Sequence, residues 1–387
     1  MDKLERIGSF KQSPIIAGER YKAYIPKPLP PSPPLDLSHL YPLLDKANTA
    51  IGRLDGMSMV LPDADLFLYM YTRKEAVLSS QIEGNQTSFS DFLLFEIDEA
   101  PRAKKDDLTE VSCYVNAMNY GLERLEFFPL SLRLIREIHK ILMNNAKGDD
   151  KLPGEFRSSQ NWIGGSSPGN AHFVPPPPEY LIETLDYFEK FLNQANINMP
   201  ALIKAALAHV QFETILPFQD GNGRLGRLLI TLILRHEGML IHPLLYLSMY
   251  LKLNRQQYYD HLQSIPETGD WESWIEFFLT GVIETAEQGA KTIQTIVALF
   301  DEDRAKIRNS GKSTAAVLNI YNYLLDHPVS STSKIRDKCE LSLPTVLRSL
   351  ITLEAIGIIR EITGKERNKI FIYDRYFALL SQGAETL

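Results

Sequence analysis

Cysteine is nearly absent from this 387-residue chain: Cys113 and Cys339 are the only two. They lie far apart and in different expected domains, so neither a disulfide framework nor a cysteine zinc site is indicated. Long hydrophobic runs are missing too, with none near the roughly 18 residues of a membrane-spanning helix. The most apolar stretch, residues 228–234, stops at Arg235-His236-Glu237. The opening Met1-Asp2-Lys3-Leu4-Glu5-Arg6 has no signal-peptide hydrophobic segment. Positive charge is not in excess; the net charge of −7 argues against general adhesion to nucleic acid or anionic membrane. No internal repeat is apparent. These absences leave a cytoplasmic protein with no membrane attachment as the expectation.

A chain of this length buries at least one substantial core, and two or three domains are expected. Residues 1–108 read as a Pro-rich arm, Tyr24-Ile25-Pro26-Lys27-Pro28-Leu29-Pro30-Pro31-Ser32-Pro33-Pro34, followed by a helical region. Residues 109–298 read as a nearly all-helical core. Residues 299–311, containing Asp301-Glu302-Asp303-Arg304, read as a solvated helical linker, and 312–387 as a separate module.

The most informative stretch is Leu216-Pro217-Phe218-Gln219-Asp220-Gly221-Asn222-Gly223-Arg224-Leu225-Gly226-Arg227. Apolar periodicity predicts a helix on each side of it. Pro217 ends the first helix and the glycines allow positive φ in the connection. Unpaired N–H groups opening the second helix, and its dipole, favour an anion there, with a nest around Gly221-Asn222-Gly223. Arg224 and Arg227, three residues apart, share one face. Asp220 suits a hard divalent cation bridging phosphates, and Phe218 is expected in the core.

These residues closely resemble the Fic family signature, His-x-Phe-x-(Asp/Glu)-Gly-Asn-Gly-Arg-x-x-Arg, at every defining position but the first, where Leu216 replaces histidine. The resemblance implies a mainly α fold: a Fic-type helical core with a β-hairpin flap. It implies a protein adenylyltransferase that moves AMP from ATP to a hydroxyl (Ser, Thr or Tyr) of a target protein. Carried over by position, Asp220 binds Mg²⁺, and Gly221, Asn222, Gly223, Arg224, Leu225, Gly226 and Arg227 bind the nucleotide, with Asn222 and Arg224 among the catalytic groups. The absent histidine is the general base. Leucine accepts no proton, and loss of a positioned base costs about 10²–10⁴ in rate. Leu216 reads either as an introduced inactivating substitution or as a natural loss. His209, roughly 10 Å back along the preceding helix, is expected to be structural.

Three further elements extend the resemblance. Ser79, Glu83 and Gly84 match the family's inhibitory-helix pattern, which implies that Glu83 pairs with Arg227 in the place of the γ-phosphate. Trp162, Ile163, Gly164 and Gly165, running towards Phe173, resemble the flap that registers the target segment by backbone pairing. Tyr246 to Tyr250, and better Tyr258 and Tyr259, resemble the adenine wall.

Beyond residue 312, an amphipathic helix (Val317, Ile320, Tyr321, Leu324), a helix capped at Ser330-Ser331-Thr332, a third helix with Val346, Leu347, Leu350 and Leu353 inward, and a hairpin around residues 364–368 resemble a small winged helix-turn-helix domain. Arg348, Ser349 and Thr352 are expected on its exposed face, with Lys365, Arg367 and Lys369 at the wing. Ten Lys and Arg against eight Asp and Glu is a thin surplus for DNA, so a protein–protein or homodimer role stands beside DNA binding. The leading functional expectation is an adenylyltransferase held off by Glu83 and impaired at residue 216. The alternatives are an inactive nucleotide-sensing regulator acting through the C-terminal module, and transfer of a different phosphate-containing group.

Overall fold

The computed structural model describes residues 2–13, 20–59, 64–97, 103–144, 152–194, 199–311 and 315–385. The chain is mainly helical, as expected. A short antiparallel pair, β1 (Ser9–Gln12) and β2 (Lys22–Ile25), comes first, with Ser9 opposite Ile25. The helices α1 (Tyr41–Ser58), α2 (Ala64–Ile82), α3 (Phe89–Glu96), α4 (Lys105–Leu125), α5 (Leu132–Leu142) and α6 (Pro178–Asn193) follow. Then come α7 (Ala201–Ile215), α8 (Asn222–His236), α9 (Ser248–Leu253), α10 (Arg255–Thr268) and the long α11 (Trp271–Asn309).

Caps and turn residues fix where these helices begin. Ser88 accepts from the Asp91 N–H, Ser131 from Leu134, and Asp270 from Ser273, each satisfying one orphan donor of a first turn. Helix α7 is the centre of the bundle: nearly all of it is buried, and it packs on α6, α8 and α11. Its lack of a polar face is what a fully enclosed helix requires. Trp274 of α11 donates its indole N–H to the Ala206 carbonyl at 2.9 Å, closing the core on that side.

The Pro-rich arm runs over the protein's own surface. Arg6 anchors it, donating to the carbonyls of Pro33 (2.9 Å) and Pro34 (2.8 Å) while pairing with Glu272 of α11 at 2.8 Å, both side chains buried.

The C-terminal unit comprises α12 (Ala315–Asp326), β3 (Val329–Ser331), α13 (Thr332–Cys339), α14 (Leu343–Ala355), β4 (Arg360–Glu361), β5 (Ile370–Ile372) and α15 (Asp374–Ser381). The sheet order is β3-β5-β4, both pairings antiparallel. The expected three helices and hairpin are present; β3 and α15 are additions. The expected module start at residue 312 lies outside the described residues. Helix α4 runs through residue 108 and α11 through 299–309, so those boundaries are not breaks in the backbone.

Two expectations for this part are corrected. The stretch 299–311 is not simply a solvated linker: Asp303 is buried and accepts a 2.6 Å bond from the Tyr373 hydroxyl, and Glu302 pairs with Arg375 at 2.9 Å. On α14, Ser349 and Thr352 are buried whereas Leu347 is exposed. The inward stripe of Val346, Leu350 and Leu353 has a helical phase that draws 349 and 352 in. Leu343, Leu347 and Ile351 lie outward at steps of four, with Arg348.

Breaking a buried ion pair by deleting one partner costs about 3–5 kcal/mol. Arg6→Ala is therefore expected to lower unfolding free energy by about that amount in urea titration; a loss below about 1 kcal/mol would show that the arm is not anchored as described.

Candidate functional site

The turn from α7 to α8 is built by local conformation and held by tertiary contacts. Leu216 ends α7 in the left-handed region (φ 44°), with its N–H on the Phe212 carbonyl. A β-carbon makes that backbone unfavourable, so something must hold it. Arg157 does this, donating Nε to the Leu216 carbonyl at 2.7 Å and further N–H groups to Ile215, Pro176 and Ser159 carbonyls. Burial pushes its pKa down to about 10.

Asn222 folds the loop over: its Oδ1 accepts from the Phe218 N–H at 2.9 Å and its Nδ2 donates to the Phe218 carbonyl at 2.8 Å. The side chain expected at the phosphates is thus engaged in the loop, and Asn222 offers its main-chain N–H instead. His139 of α5 stacks on Phe218 at 3.7 Å between centroids. Its Nδ1 accepts from the Gly154 N–H, so the proton sits on Nε2, which donates to the Asp220 carbonyl at 3.0 Å. Burial lowers the His139 pKa to about 4. Phe218 is fully buried, as expected.

Helix α8 starts at Gly221 (φ 76°), where no side chain caps the helix. A β-carbon there would come within 2.7 Å of Met143 Sδ. The Leu225 N–H takes the Gly221 carbonyl, so the preceding N–H groups of Asn222, Gly223 and Arg224 have no carbonyl of their own helix to bond. They open on a cleft of about 1070 Å³, which Leu216, Asp220, Gly221, Arg224 and Arg227 also line. Asp220 accepts from the Gly221 N–H at 2.7 Å.

Arg227 lies at the bottom of the cleft and is 2% exposed. Its Nε donates to Ser79 Oγ (2.8 Å), and one terminal nitrogen donates to the Ser79 carbonyl (3.0 Å) and pairs with Glu83 Oε1 (2.7 Å). Burial works against the charged guanidinium, and Glu83 foremost outweighs it. A β-carbon at position 223 would lie 2.3 Å from Glu83 Oε1, so only glycine admits this approach. Gly84 (φ 94°) turns the chain away just past Glu83. Arg224 pairs with Glu110 of α4 at 2.9 Å.

The flap residues meet the cleft. Trp162, Ile163, Gly164, His172 and Phe173 line it. Gly164 and Gly165 hold positive φ, and a single bridge, Ile163 opposite Phe173, stands where two short strands were expected. The Ser167–Asn170 turn takes up the intervening backbone, which limits pairing to that bridge.

Of the expected aromatic wall, Tyr258 and Tyr259 both line the cleft. Tyr258 is 1% exposed and its hydroxyl is bonded to His209 Nε2 at 2.8 Å, whereas Tyr259 is 37% exposed and is the more open ring of the pair. Tyr246 and Tyr250 are core residues. His209 also donates Nδ1–H to the Gly226 carbonyl, and burial lowers its pKa to about 3. With both nitrogens engaged, it does not replace the base missing at 216.

Arg157, His139, Glu110 and Glu213 went unassigned in the sequence. Glu213 lines the cleft against Gly226, with a pKa raised by burial to about 7. A charged residue at an otherwise core-facing helical position is the only signal that marks Glu213 in advance.

For His139 the folded pKa of about 4 lies below the ordinary 6.5, so unfolded chains bind more protons between those values. Its contribution to stability is complete above pH 6.5 and is lost as pH falls towards 4. His139→Gln should therefore show a smaller drop in Tm between pH 7 and pH 5 than the unaltered chain; an equal or larger drop would contradict the assigned neutral tautomer.

Comparison with known proteins agrees with this geometry. Residues 41–123 match the Fic/DOC family N-terminal description and residues 129–234 match the Fic/DOC family itself. The chain is 31% identical over 241 residues to Protein adenylyltransferase Fic of Aedes aegypti, covering 60% of this chain and 44% of that protein. It is 28% identical over 197 residues to Protein adenylyltransferase fic-1 of Caenorhabditis elegans, covering 51% and 34%. The chain thus spans under half the length of these curated relatives. A solved Fic family protein from Desulfovibrio desulfuricans superposes with a TM-score of 0.56 at 19% identity, over 88% of this chain and 97% of that one. A Fic domain containing signaling protein from Bacteroides thetaiotaomicron gives 0.54 at 19% identity, over 65% and 97%. These two show the fold. Residues 41–123 and 129–234 are thus similar to the N-terminal and main descriptions of the Fic/DOC family.

Proposed function

We propose that the cleft binds ATP and that the framework is that of a protein adenylyltransferase acting on a target-protein hydroxyl, self-inhibited by Glu83 and impaired by Leu216. The observation that carries this reading is the pairing of buried Arg227 with Glu83 beside a helix start with open N–H groups. The N–H groups of Asn222, Gly223 and Arg224 would hold phosphate oxygens, and the two guanidinium groups would supply charge-assisted contacts. Glu83 occupies Arg227 where a terminal phosphate would otherwise sit. The flap would align an extended target segment by edge pairing at Ile163.

Asp220 fits Mg²⁺. Among the described residues no group of three or more His, Cys, Asp or Glu could hold a metal, and Mg²⁺ characteristically needs only one or two carboxylates with phosphates and water. When bound, the ion would neutralise phosphate charge. No candidate base is positioned at 216: the leucine is 7% exposed and apolar, and His209 and His139 are locked elsewhere.

That same vacancy of base chemistry supports a second reading, in which the chain senses nucleotide and signals through the C-terminal unit, read as a winged helix-turn-helix domain, without transfer. The outward side of α14 carries Leu343, Leu347 and Ile351, with Ile351 66% exposed, which suits a protein surface better than DNA.

Leu216→His combined with Glu83→Gly separates the readings. Incubation with Mg²⁺ and ATP labelled at the α-phosphate is expected to yield labelled protein, at least about 10²-fold above the unaltered chain. Label arriving only from the γ-phosphate would replace AMP transfer by phosphorylation. ATP binding with no transfer from either label would establish the sensing role.

A further inference from the structure

Glu83 is not the only carboxylate of this chain that holds an arginine of the cradle. Arg224 meets Glu110 of α4 at 2.9 Å, its side chain 9% exposed and that of Glu110 32%. The Met143 sulfur lies 3.6 Å from another terminal nitrogen of Arg224, so the guanidinium is held between α4 and α5. Glu110 and Arg224 both line the cleft, so an anion that approaches Arg224 from the cleft would meet the carboxylate already paired with it.

The two carboxylates are also linked. Asn85, two residues beyond Glu83, donates to the Asp107 carbonyl on α4 at 2.9 Å; burial raises the Glu110 pKa, and Arg224 first and the Asn85 side chain next work against that rise. The end of α2 thus touches the partner of each arginine. Six acids line the cleft (Glu83, Glu110, Glu213, Asp220, Asp260 and Glu267) against two arginines. An entering polyphosphate meets a site whose cations are both engaged, and withdrawal of Glu83 frees only Arg227.

We propose that Glu110 is a second internal anion of the cradle, occupying on Arg224 a place that a phosphate group of the nucleotide takes over, so that it sets polyphosphate affinity together with Glu83. This rests on the nucleotide-binding reading above. The opposite role, in which Glu110 merely positions Arg224 for phosphate, gives an effect of opposite sign.

Glu110→Gln keeps the size and an acceptor and removes the charge; Glu110→Ala provides a second variant should the first fold poorly, with thermal melting as the check. ATP–Mg²⁺ is titrated calorimetrically at fixed salt into the full chain, Glu83→Gly, Glu110→Gln and the double variant. Glu110→Gln is expected to tighten binding about fivefold, the scale of a partly exposed ion pair, in either background. In an Arg224→Gln background the same change should give no tightening, because the two residues act on one interaction. Unchanged or weaker binding in Glu110→Gln and Glu110→Ala, while Glu83→Gly binds, overturns the proposal and leaves the nucleotide reading intact. No binding by any variant overturns both.

Discussion

A guanidinium sealed at the bottom of a cleft needs an anion at every moment, and Arg227 is such a group. An isolated buried charge is costly enough that native structures pair it. In this chain Ser79 and Glu83, from the last turn and end of α2, supply the partner, and Gly223 leaves the space through which the carboxylate reaches it. A phosphate is the natural competitor, since it presents the same oxygens to the same donors with more charge. On the proposed function, occupation of Arg227 by one or the other would be a choice between two anions rather than between order and disorder.

The surrounding residues fix the conformation of the loop beside that guanidinium. Arg157 secures the left-handed backbone at Leu216, Asn222 ties Phe218 at both main-chain groups, and His139 braces the same ring and the Asp220 carbonyl. None of these contacts depends on the chemistry of the residue 216 side chain. Leucine at 216 is compatible with this conformation and offers no group that could accept a proton. On the proposed function, binding and catalysis would therefore be separable, the first resting on the cradle and the second on the residue at 216.

Much of the site was legible because its parts are contiguous. The helix start, the glycines and both arginines fall within twelve residues, and the Ser79–Glu83 spacing is a single helical turn. The flap glycines announced themselves as a turn, although the one bridge at Ile163 follows from the capped turn inside it. What stayed hidden depends on chain segments far apart in sequence. Glu110 meets Arg224, and Arg6 meets Glu272, only because α4 and α11 pass beside them. Tyr258 lines the cleft beside Tyr259, but the bond from its hydroxyl to His209 could not be read from the sequence. Ser349 and Thr352 were misplaced because a helix phase one residue off exchanges inner and outer positions.

The central claim is that Arg227 is an anion-binding group for which Glu83 and a nucleotide phosphate compete. Its most direct test is the ATP–Mg²⁺ dissociation constant of Glu83→Gly compared with Glu83→Gly/Arg227→Ala. Loss of a charge-assisted contact in a buried site should weaken the double variant at least about tenfold. Equal affinity in the two would contradict the account, because the guanidinium that Glu83 covers would then have no part in holding the ligand.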